Sequence, residues 1–299
     1  MHEAYVLPGP LALSRSTVDR AADRRADAAW LDSLWADGST RVLLVGDGTV
    51  AADGDALRFV APSDAPDGDR FLLGLDDDGI AYTAVHVGEK PAGGATLREA
   101  GAVLSDRDAG LAVHAIALAN WHATHRFCPR CGAPTRAEQG GHVRVCEADG
   151  SQHFPRTDPA VIVLVVDERE RCLLGRSAAW PGRRFSTLAG FVEPGETPEH
   201  AVVRELYEEV GVRITSCRYA GAQPWPFPSS LMLGYYATAA GEDPTPDGEE
   251  IAEARWFSRD ELTAAMTAGD VLPPSGISIA RKLVEGWYGR PLPVDVSWR

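Results

Sequence analysis

Residues 190–212 read GFVEPGETPEHAVVRELYEEVGV, in which a loop bounded by glycines leads into a helical pattern. Thr197 is a good acceptor for the free N–H groups of a first helical turn. Pro198 suits the first position of a helix, where its missing N–H has no cost, and Gly211 suits the position after the last turn. The stretch therefore predicts a helix over residues 198–210.

This helix would carry two different faces. Glu205, Glu208 and Glu209 stand at i, i+3 and i+4 and share one face. The other face is apolar and consists of Val202, Val203, Leu206 and Val210. Three carboxylates so close together repel one another, and hard divalent cations such as Mg²⁺ or Mn²⁺ prefer oxygen ligands. The alternative is a solvated acidic face, against which the glycine-bounded loop argues.

The same stretch resembles the signature of the Nudix hydrolases, G-x5-E-x7-R-E-U-x-E-E-x-G-U with U a bulky aliphatic residue, and it matches every specified position. The resemblance implies an α/β/α sandwich that uses divalent cations to hydrolyse a nucleoside diphosphate linked to another group. It makes Glu205, Glu208 and Glu209 the metal ligands. It gives structural roles to Gly190, Glu196, Arg204 and Gly211. Glu196 and Arg204 would brace the loop and helix through an ion pair.

Hydrolysis of a diphosphate requires that its negative charge be shielded before a nucleophile can approach. Metal ions neutralise the oxygens and lower the pKa of a bound water, so they supply both charge and nucleophile. We expect Glu209 to be the indispensable carboxylate. The sequence leaves open whether it acts as a metal ligand or as a proton acceptor.

A proline-rich arm, AQPWPFPSSLM at residues 222–232, follows the helix. Alternating prolines fix φ and push the residues before them toward extended geometry, so Trp225 and Phe227 would be held stiffly. Aromatic rings held in this way can stack on flat rings of a substrate. The alternative is a rigid connector whose aromatic side chains fill a domain or dimer interface.

The arm is similar to the S-Q-P-W-P-F-P-x-S signature of the NADH pyrophosphatases, the Nudix subfamily that also removes NAD caps from RNA 5′ ends; Ala222 replaces the usual serine. The resemblance implies hydrolysis of NAD(H) to nicotinamide mononucleotide and AMP. It implies substrate contacts by Phe154, Phe191, Gln223, Trp225, Phe227 and Ser230.

Under the same resemblance, the adenine side of the substrate stacks between Phe191 and Phe154, the latter donated across a homodimer. Glu250 matches an additional acid at the metal site. Without the family, Glu250 would be part of an exposed acidic loop and Phe154 would be ordinary packing.

Cys128-Pro-Arg-Cys131 and Cys146 resemble the first three ligands of a zinc ribbon. A second thiol pair would need a cysteine where Asp149 stands, and His153 lies nearby. Because zinc accepts Asp and His as well as thiolate, we predict a structural Zn²⁺ site completed by Asp149 or His153. The alternative is a segment of reduced thiols that binds no metal.

Changes in composition and in the pattern of apolar residues divide the chain into three parts. They are an N-terminal α+β domain at 1–122, a zinc-ribbon-like segment at 123–156, and a Nudix α/β/α sandwich with a mixed sheet at 157–299. Residues 71–75 and 80–85 flank an acidic, glycine-containing turn and predict a hairpin. Apolar spacing predicts a helix from 106 to about 122. The apolar run at 160–166 predicts a strand buried on both faces.

The composition of the 299 residues limits the partners of the chain. Lys and Arg number 29 and Asp and Glu 43, so the net charge of −14 provides no chain-wide basic field and an RNA partner would need a local site. No apolar run approaches the roughly 18 residues of a spanning helix, and the first residues lack a secretory pattern. We therefore expect a cytoplasmic protein with no membrane partner.

Three functions compete at this point. The first is an NAD(H) diphosphatase that also acts on NAD-capped RNA, and the second is a Nudix diphosphatase that prefers ADP-ribose or another dinucleotide. The proline-rich arm distinguishes them. The third is a non-catalytic nucleotide- or RNA-binding module, which has no need of three crowded carboxylates.

Overall fold

The structure, a computed structural model, describes residues 5–180 and 182–293. Its contacts define an N-terminal unit, Leu13–Thr157 with Trp225–Ser229, and a C-terminal unit, Met1–Ala12 with Asp158–Pro224 and Ser230–Arg299. Positions 1–4 and 294–299 of the predicted domains lie outside the described residues. The two units separate near residue 157, and the predicted start of the last domain at 157 stays a prediction. The predicted division at 122 stays a prediction, since residues on both sides of it share one unit.

The N-terminal unit is an α+β assembly, as predicted. Its main sheet has the order β3-β2-β1-β6-β5, with β4 paired to β1 and β7 paired to β2. A second sheet has the order β10-β9-β8. The strands are β1 Arg41–Gly46, β2 Thr49–Asp53, β3 Ala56–Leu57, β4 Phe59–Val60, β5 Asp69–Leu75, β6 Ala81–His86, β7 Gly94–Thr96, β8 Thr135–Glu138, β9 Val143–Cys146 and β10 Gln152–His153. The helices are α1 Ala28–Ala36, α2 Leu97–Ala100 and α3 Asp106–Thr124.

Two local predictions for this unit are confirmed. β5 and β6 form the antiparallel hairpin, with Phe71 opposite Ala84, and β6 also pairs in parallel with β1, so the sheet is mixed. α3 follows the predicted helix, and its apolar residues are buried against the sheet. Ser105 caps its first turn by accepting a hydrogen bond from the N–H of Asp108.

The C-terminal unit is built on a mixed sheet of order β14-β15-β11-β12-β16, with β13 paired to β11. Its strands are β11 Asp158–Asp167, β12 Cys172–Ser177, β13 Leu188–Phe191, β14 Ile214–Trp225, β15 Ser230–Ala239 and β16 Ile251–Phe257. Its helices are α4 Pro198–Val210, α5 Arg259–Ala268 and α6 Ile279–Tyr288. β11 runs parallel to β15 and antiparallel to β12 and β13.

Alternate side chains of β11 enter two separate cores, which confirms the predicted strand buried on both faces. Val161, Val163 and Val165 pack with α4 on one face of the sheet. Leu164 and Val166 pack with α5 and α6 on the other face. Helices on both faces of a mixed sheet make the α/β/α sandwich that the sequence predicted.

Some features of the fold were not predicted. α1 and α5 were missed, although Ser258 and Glu261 form a capping box at the start of α5. Tyr5, Leu7 and Leu11 pack into the core of the C-terminal unit, so a segment from the start of the chain belongs to that unit.

Within the described part of the chain, no helix has both the length and the apolar character needed to cross a bilayer.

Candidate active site

Helix α4 begins and ends where the sequence places it. The Thr197 side chain accepts a hydrogen bond from the N–H of His200, and Pro198 occupies the first turn. Gly211 ends the helix with a φ of 68°, a left-handed conformation that favours glycine. The helix holds Glu205 half-buried, Glu208 exposed and Glu209 buried.

Arg204 connects the loop to the helix. Its guanidinium donates to both carboxylate oxygens of Glu196, at 2.9 and 2.8 Å, and to the carbonyl of Phe191 at 2.9 Å. It also reaches Glu205 at 2.9 Å and Glu208 at 3.1 Å. The Arg204 guanidinium lowers the pKa of Glu196 to about 2. The ion pair between Glu196 and Arg204 is therefore present and ties the loop to α4.

Gly190 leaves room for the carboxylate of Glu205. A Cβ atom added at residue 190 would overlap the Glu205 carboxyl carbon and both of its oxygens. The absence of a side chain at this position allows Glu205 to lie against the backbone of β13. The glycine thus determines where one of the predicted metal ligands can sit.

Two predicted metal carboxylates from different elements line one cavity. Glu209 of α4 and Glu250, next to the start of β16, border a space of about 190 Å³. Glu209 is 5% exposed, and its Oε2 has no hydrogen-bond partner among the described residues. Burial, followed by the charges of Glu205 and Glu250, raises the pKa of Glu209 to about 8. A buried acceptor among like charges is suited to a hard divalent cation, so this donor set fits such an ion.

Other residues that line this cavity were not assigned from the sequence. They are Gly175, Ser177, Trp180, Thr187, Leu188, Ala189 and Ile251. Thr187 Oγ1 is buried without a hydrogen-bond partner in the described part of the chain. Gly175 and Ser177 belong to β12, Leu188 and Ala189 to β13, and Ile251 begins β16. The N–H of Gly175 donates to the carbonyl of Ser186 at 2.8 Å, which joins β12 to the segment before β13. Only Trp180 carried a local sequence signal, since the dipeptide Pro-Gly that follows it in the sequence is typical of turns.

The arm is divided between the two units. Gln223 is fully buried in the C-terminal unit, and its Nε2 donates to the carbonyl of Ile277 at 2.9 Å. Gln223 Oε1 is also buried, without a partner among the described residues. Ser230 begins β15 in the same unit, whereas Trp225 and Phe227 belong to the N-terminal unit. The structure thus does not place the predicted substrate residues of the arm in one unit.

Residues of the N-terminal unit hold Trp225 and Phe227. The Arg98 guanidinium lies 5.2 Å from the centroid of the Trp225 ring and 4.4 Å from that of Phe227. The Asn120 side-chain amide donates to the carbonyls of Pro226 and Pro228 at 3.1 and 3.0 Å. Because prolines have no N–H, the arm has few hydrogen-bond donors of its own. Its carbonyls therefore accept from side chains of other segments, such as Asn120. Neither Arg98 nor Asn120 could be found by local pattern, since both are distant in sequence.

The two aromatic residues predicted to hold the adenine ring are both open to solvent. Phe191 at the end of β13 is 59% exposed, and Phe154 after β10 is 65% exposed. Exposed phenyl rings of this kind can stack on a base. Each ring is therefore available, and their joint role stays a prediction.

The cysteine site consists of Cys128, Cys131, Cys146 and Asp149, one ligand atom of each lying within 4.8 Å of the others. The sulfurs of Cys131 and Cys146 are 3.5 Å apart. With Zn–S bonds of about 2.3 Å, a tetrahedral zinc site needs sulfurs roughly this close. The donor set therefore fits zinc, and Asp149 is the fourth group of the cluster; its role as a ligand stays a prediction.

The alternative fourth ligand, His153, is placed differently. Its Nε2 lies 3.3 Å from Ser151 Oγ, and that hydroxyl in turn donates to Asp149 Oδ1 at 2.6 Å. The N–H of Ser151 also donates to Asp149, at 2.9 Å. Hydrogen bonds of this kind orient a metal-binding carboxylate. Asp149 is thus held in the cysteine site, while His153 contacts the Ser151 hydroxyl and also acts on the Cys128 thiol.

Residues 156–274 match the NUDIX domain family, and residues 123–154 match the NADH pyrophosphatase zinc ribbon domain. The chain is 42% identical over 299 residues to "NAD-capped RNA hydrolase NudC" of Mycobacterium bovis (strain BCG / Pasteur 1173P2), covering 92% of this chain and 94% of that protein. It is 41% identical over 197 residues to "NAD-capped RNA hydrolase NUDT12" of Macaca fascicularis, covering 62% of this chain and 42% of that protein. A crystal structure of a NUDIX hydrolase from Nitrosomonas europaea is 23% identical, covers 56% of this chain and 94% of that chain, and has a TM-score of 0.44.

Proposed function

Because the chain belongs to the Nudix hydrolase family, we propose that it hydrolyses the diphosphate bond of NAD caps on RNA 5′ ends and of free NAD(H). The products would be nicotinamide mononucleotide and a 5′-monophosphorylated RNA, or AMP from the free dinucleotide. One observation carries the proposal: Glu209 has a buried carboxylate oxygen with no hydrogen-bond partner among residues 5–180 and 182–293, in a cavity that Glu250 also lines. The names of the relatives supply the substrate class.

Four carboxylates, which we call the carboxylate site, would hold Mg²⁺ or Mn²⁺: Glu205, Glu208, Glu209 and Glu250. When bound, such an ion shields the diphosphate oxygens and lowers the pKa of a water. Arg204 holds the loop before α4 through Glu196 and the Phe191 carbonyl, so the site keeps its shape while the substrate enters. Glu209 acts as a metal ligand or accepts the proton of the attacking water.

The remaining assignments follow the same resemblance. Gln223, Trp225, Phe227 and Ser230 would determine which dinucleotide is accepted, and Phe191 and Phe154 would stack on its base. The cysteine site would hold a structural Zn²⁺. The resemblance also supports a homodimeric, cytoplasmic enzyme.

One observation favours the second candidate, a diphosphatase that prefers ADP-ribose or another dinucleotide. The Arg98 guanidinium lies close to the Trp225 and Phe227 rings, at 5.2 and 4.4 Å. Rings that interact with a cation in this way offer less free surface to a substrate base. Under this candidate the arm has a structural role, and selectivity for NAD is weak.

The test compares NAD-capped RNA, NADH, NAD⁺ and ADP-ribose in parallel, each with Mg²⁺ or Mn²⁺, and identifies the products. We expect kcat/KM to be highest for NAD-capped RNA or NADH. Trp225→Ala should lower this preference more than it lowers the melting temperature. An equal loss for every substrate would favour the second candidate, and no turnover with any metal would favour a binding module.

A further inference from the structure

The turn that carries Glu250 is anchored to the last turn of helix α4. The N–H of Thr245 donates to the carbonyl of Val210 at 2.8 Å, and the N–H of Asp247 donates to the carbonyl of Glu209 at 3.0 Å. Carbonyls in the last turn of a helix have no partner within the helix. The segment before β16 therefore satisfies two of them, one belonging to Glu209 itself.

The Asp247 side chain then organises the residues that follow it. Its Oδ1 accepts hydrogen bonds from the N–H groups of Glu249 at 3.2 Å and Ile251 at 2.9 Å. Its Oδ2 accepts from the N–H of Glu250 at 3.3 Å. Three consecutive amides thus converge on one carboxylate, which determines the direction in which the chain presents Glu250.

A further contact holds the same turn from the other side. The carbonyl of Glu250 accepts a hydrogen bond from the N–H of Ala178 at 2.9 Å. Glu250 and Ile251 then line the same cavity as Glu209. Asp247 is bonded to both carboxylate-bearing elements, through its N–H to α4 and through its side chain to the Glu250 turn.

We propose that Asp247 is a positioning residue that sets the placement of Glu250 relative to Glu209 in the carboxylate site. The inference rests on the proposed function, since it takes Glu209 and Glu250 to act on one ion. Groups that orient metal ligands without touching the metal change metal affinity or activity by about 10- to 100-fold when removed. Asp247 would orient Glu250 in this way, through hydrogen bonds to the backbone around it.

A different role for Asp247 would be electrostatic. Its negative charge is one of those that act on Glu209, so it could attract a cation directly. Asn separates the two roles, because its single side-chain oxygen can keep the bonds to Glu249 and Ile251 while the charge is lost. A positioning role predicts that Asp247→Asn resembles the unmodified protein, whereas an electrostatic role predicts that it resembles Asp247→Ala.

The experiment measures Mn²⁺ affinity from the EPR signal of free Mn²⁺, together with kcat and KM for NADH and the melting temperature without metal. The variants are Asp247→Ala, Asp247→Asn and, as a matched control in the same turn, Glu249→Gln. We expect Asp247→Ala to weaken Mn²⁺ binding by about 10- to 100-fold and to lower kcat. Asp247→Asn should lose less than about threefold, and Glu249→Gln should change neither quantity.

Two outcomes would overturn the inference: Mn²⁺ affinity of Asp247→Ala equal to that of Glu249→Gln, or an equal loss in Asp247→Asn and Asp247→Ala. If Asp247→Ala does not fold, a loss of Mn²⁺ affinity in Asp247→Asn well beyond that in Glu249→Gln still overturns the inference in favour of charge. Failure of the proposed function has a different signature. In that case the unmodified protein turns over none of the dinucleotides, while the Mn²⁺ titrations still rank the three variants.

Discussion

The carboxylate site and the cysteine site both gather groups that bind cations, but they differ in what they leave open. The cysteine site brings three thiols and Asp149 within 4.8 Å of one another, enough donors to close a tetrahedron. The carboxylate site borders a cavity of about 190 Å³, and one oxygen of Glu209 has no hydrogen-bond partner in the part of the chain that the structure describes. Structural metal sites are closed by protein ligands, whereas catalytic sites keep a position for substrate or water.

The two sites also differ in how their surroundings affect ionisation of the ligand groups. In the cysteine site, burial raises the pKa of the Cys128 thiol, but the amides of Arg130 and Cys131 and the Ser151 hydroxyl outweigh it and lower the pKa to about 6. Thiolate is thus favoured at Cys128, whereas the contacts of Cys146 with Asp149 and Cys131, together with burial, raise the pKa of that thiol to about 11. In the carboxylate site, burial and like charges oppose ionisation of Glu209. The cysteine site thus has enough donors for a structural metal, whereas the carboxylate site gathers charges that repel one another until a cation is bound.

The largest effect should come from Glu209→Gln, which tests the open site. We expect the rate with NADH to fall by several orders of magnitude, because a charge that faces the cation is lost. The metal-free protein should keep its melting temperature or gain stability, because one of several repelling carboxylates is removed. Steady-state kinetics and thermal melting in EDTA measure the two effects. Near-normal turnover would place the chemistry elsewhere.

The closed site is tested by Cys146→Ser, with zinc content and chemical denaturation as the measurements. We expect bound zinc to fall from about one per chain and the N-terminal unit to lose at least about 4 kcal/mol, the value for a ligand at 1,000 times its Kd. Asp149→Asn should lower zinc affinity more than His153→Gln. The reverse order would make His153 the fourth ligand, and unchanged stability of Cys146→Ser would mean that the thiols hold no metal.

Gly190→Ala probes how the open site depends on one missing side chain. Its Cβ would overlap the end of the flexible Glu205 side chain, so Glu205 should move while the fold is kept. We expect kcat/KM to fall by about 100-fold, because the loss of groups that orient a metal ligand has effects of this size. The melting temperature should change little. Gly276→Ala is the matched control, because a Cβ there meets nothing within 4 Å. Equal activity of the two variants would contradict the placement of Glu205.

The smallest expected effect is a loss of folding stability of the N-terminal unit at acidic pH. Burial lowers the pKa of His122 from 6.5 to about 4. Its Nδ1 accepts from Arg144 at 2.6 Å and its Nε2 donates to the Gly141 carbonyl at 2.8 Å, a geometry that suits the neutral ring. The unfolded chain therefore takes up the proton first, and stability is lost as pH falls from 6.5 toward 4.

We expect the contribution of His122 to lower the free energy of unfolding by about 2 kcal/mol between pH 7 and pH 5, measured by urea denaturation. His122→Gln keeps an amide donor for the Gly141 carbonyl but cannot gain a proton at these pH values. It should show a correspondingly smaller loss over the same pH range. The same loss in His122→Gln and in the unmodified protein would mean that other groups cause the acid sensitivity.

The sequence predicted most successfully where the determinants are local. Helix α4 has its cap, its first-turn proline and its terminal glycine within one short stretch, and the structure begins and ends it there. The apolar run of β11 and the hairpin of β5 and β6 were found for the same reason. The family resemblance, which rests on the same stretch, is confirmed by the matches to known proteins.

Predictions failed or stayed incomplete where distant residues decide the outcome. The bonds from Asn120 to the arm and from Asp247 to α4 join segments that no sequence period connects. Burial of Gln223 depends on the carbonyl of Ile277, which belongs to another segment. Such pairings are set by tertiary packing, which local propensity does not contain.

Residues 5–11 carry a consequence for how the protein is made. Tyr5, Leu7 and Leu11 leave the ribosome well before the strands and helices of the core into which they pack. Because residues 13–157 are translated in between, these side chains stay without their partners until late in synthesis. An expression clone that starts at residue 158 would therefore lack part of its own hydrophobic core, and we expect it to aggregate unless residues 5–12 are grafted back or supplied as a peptide.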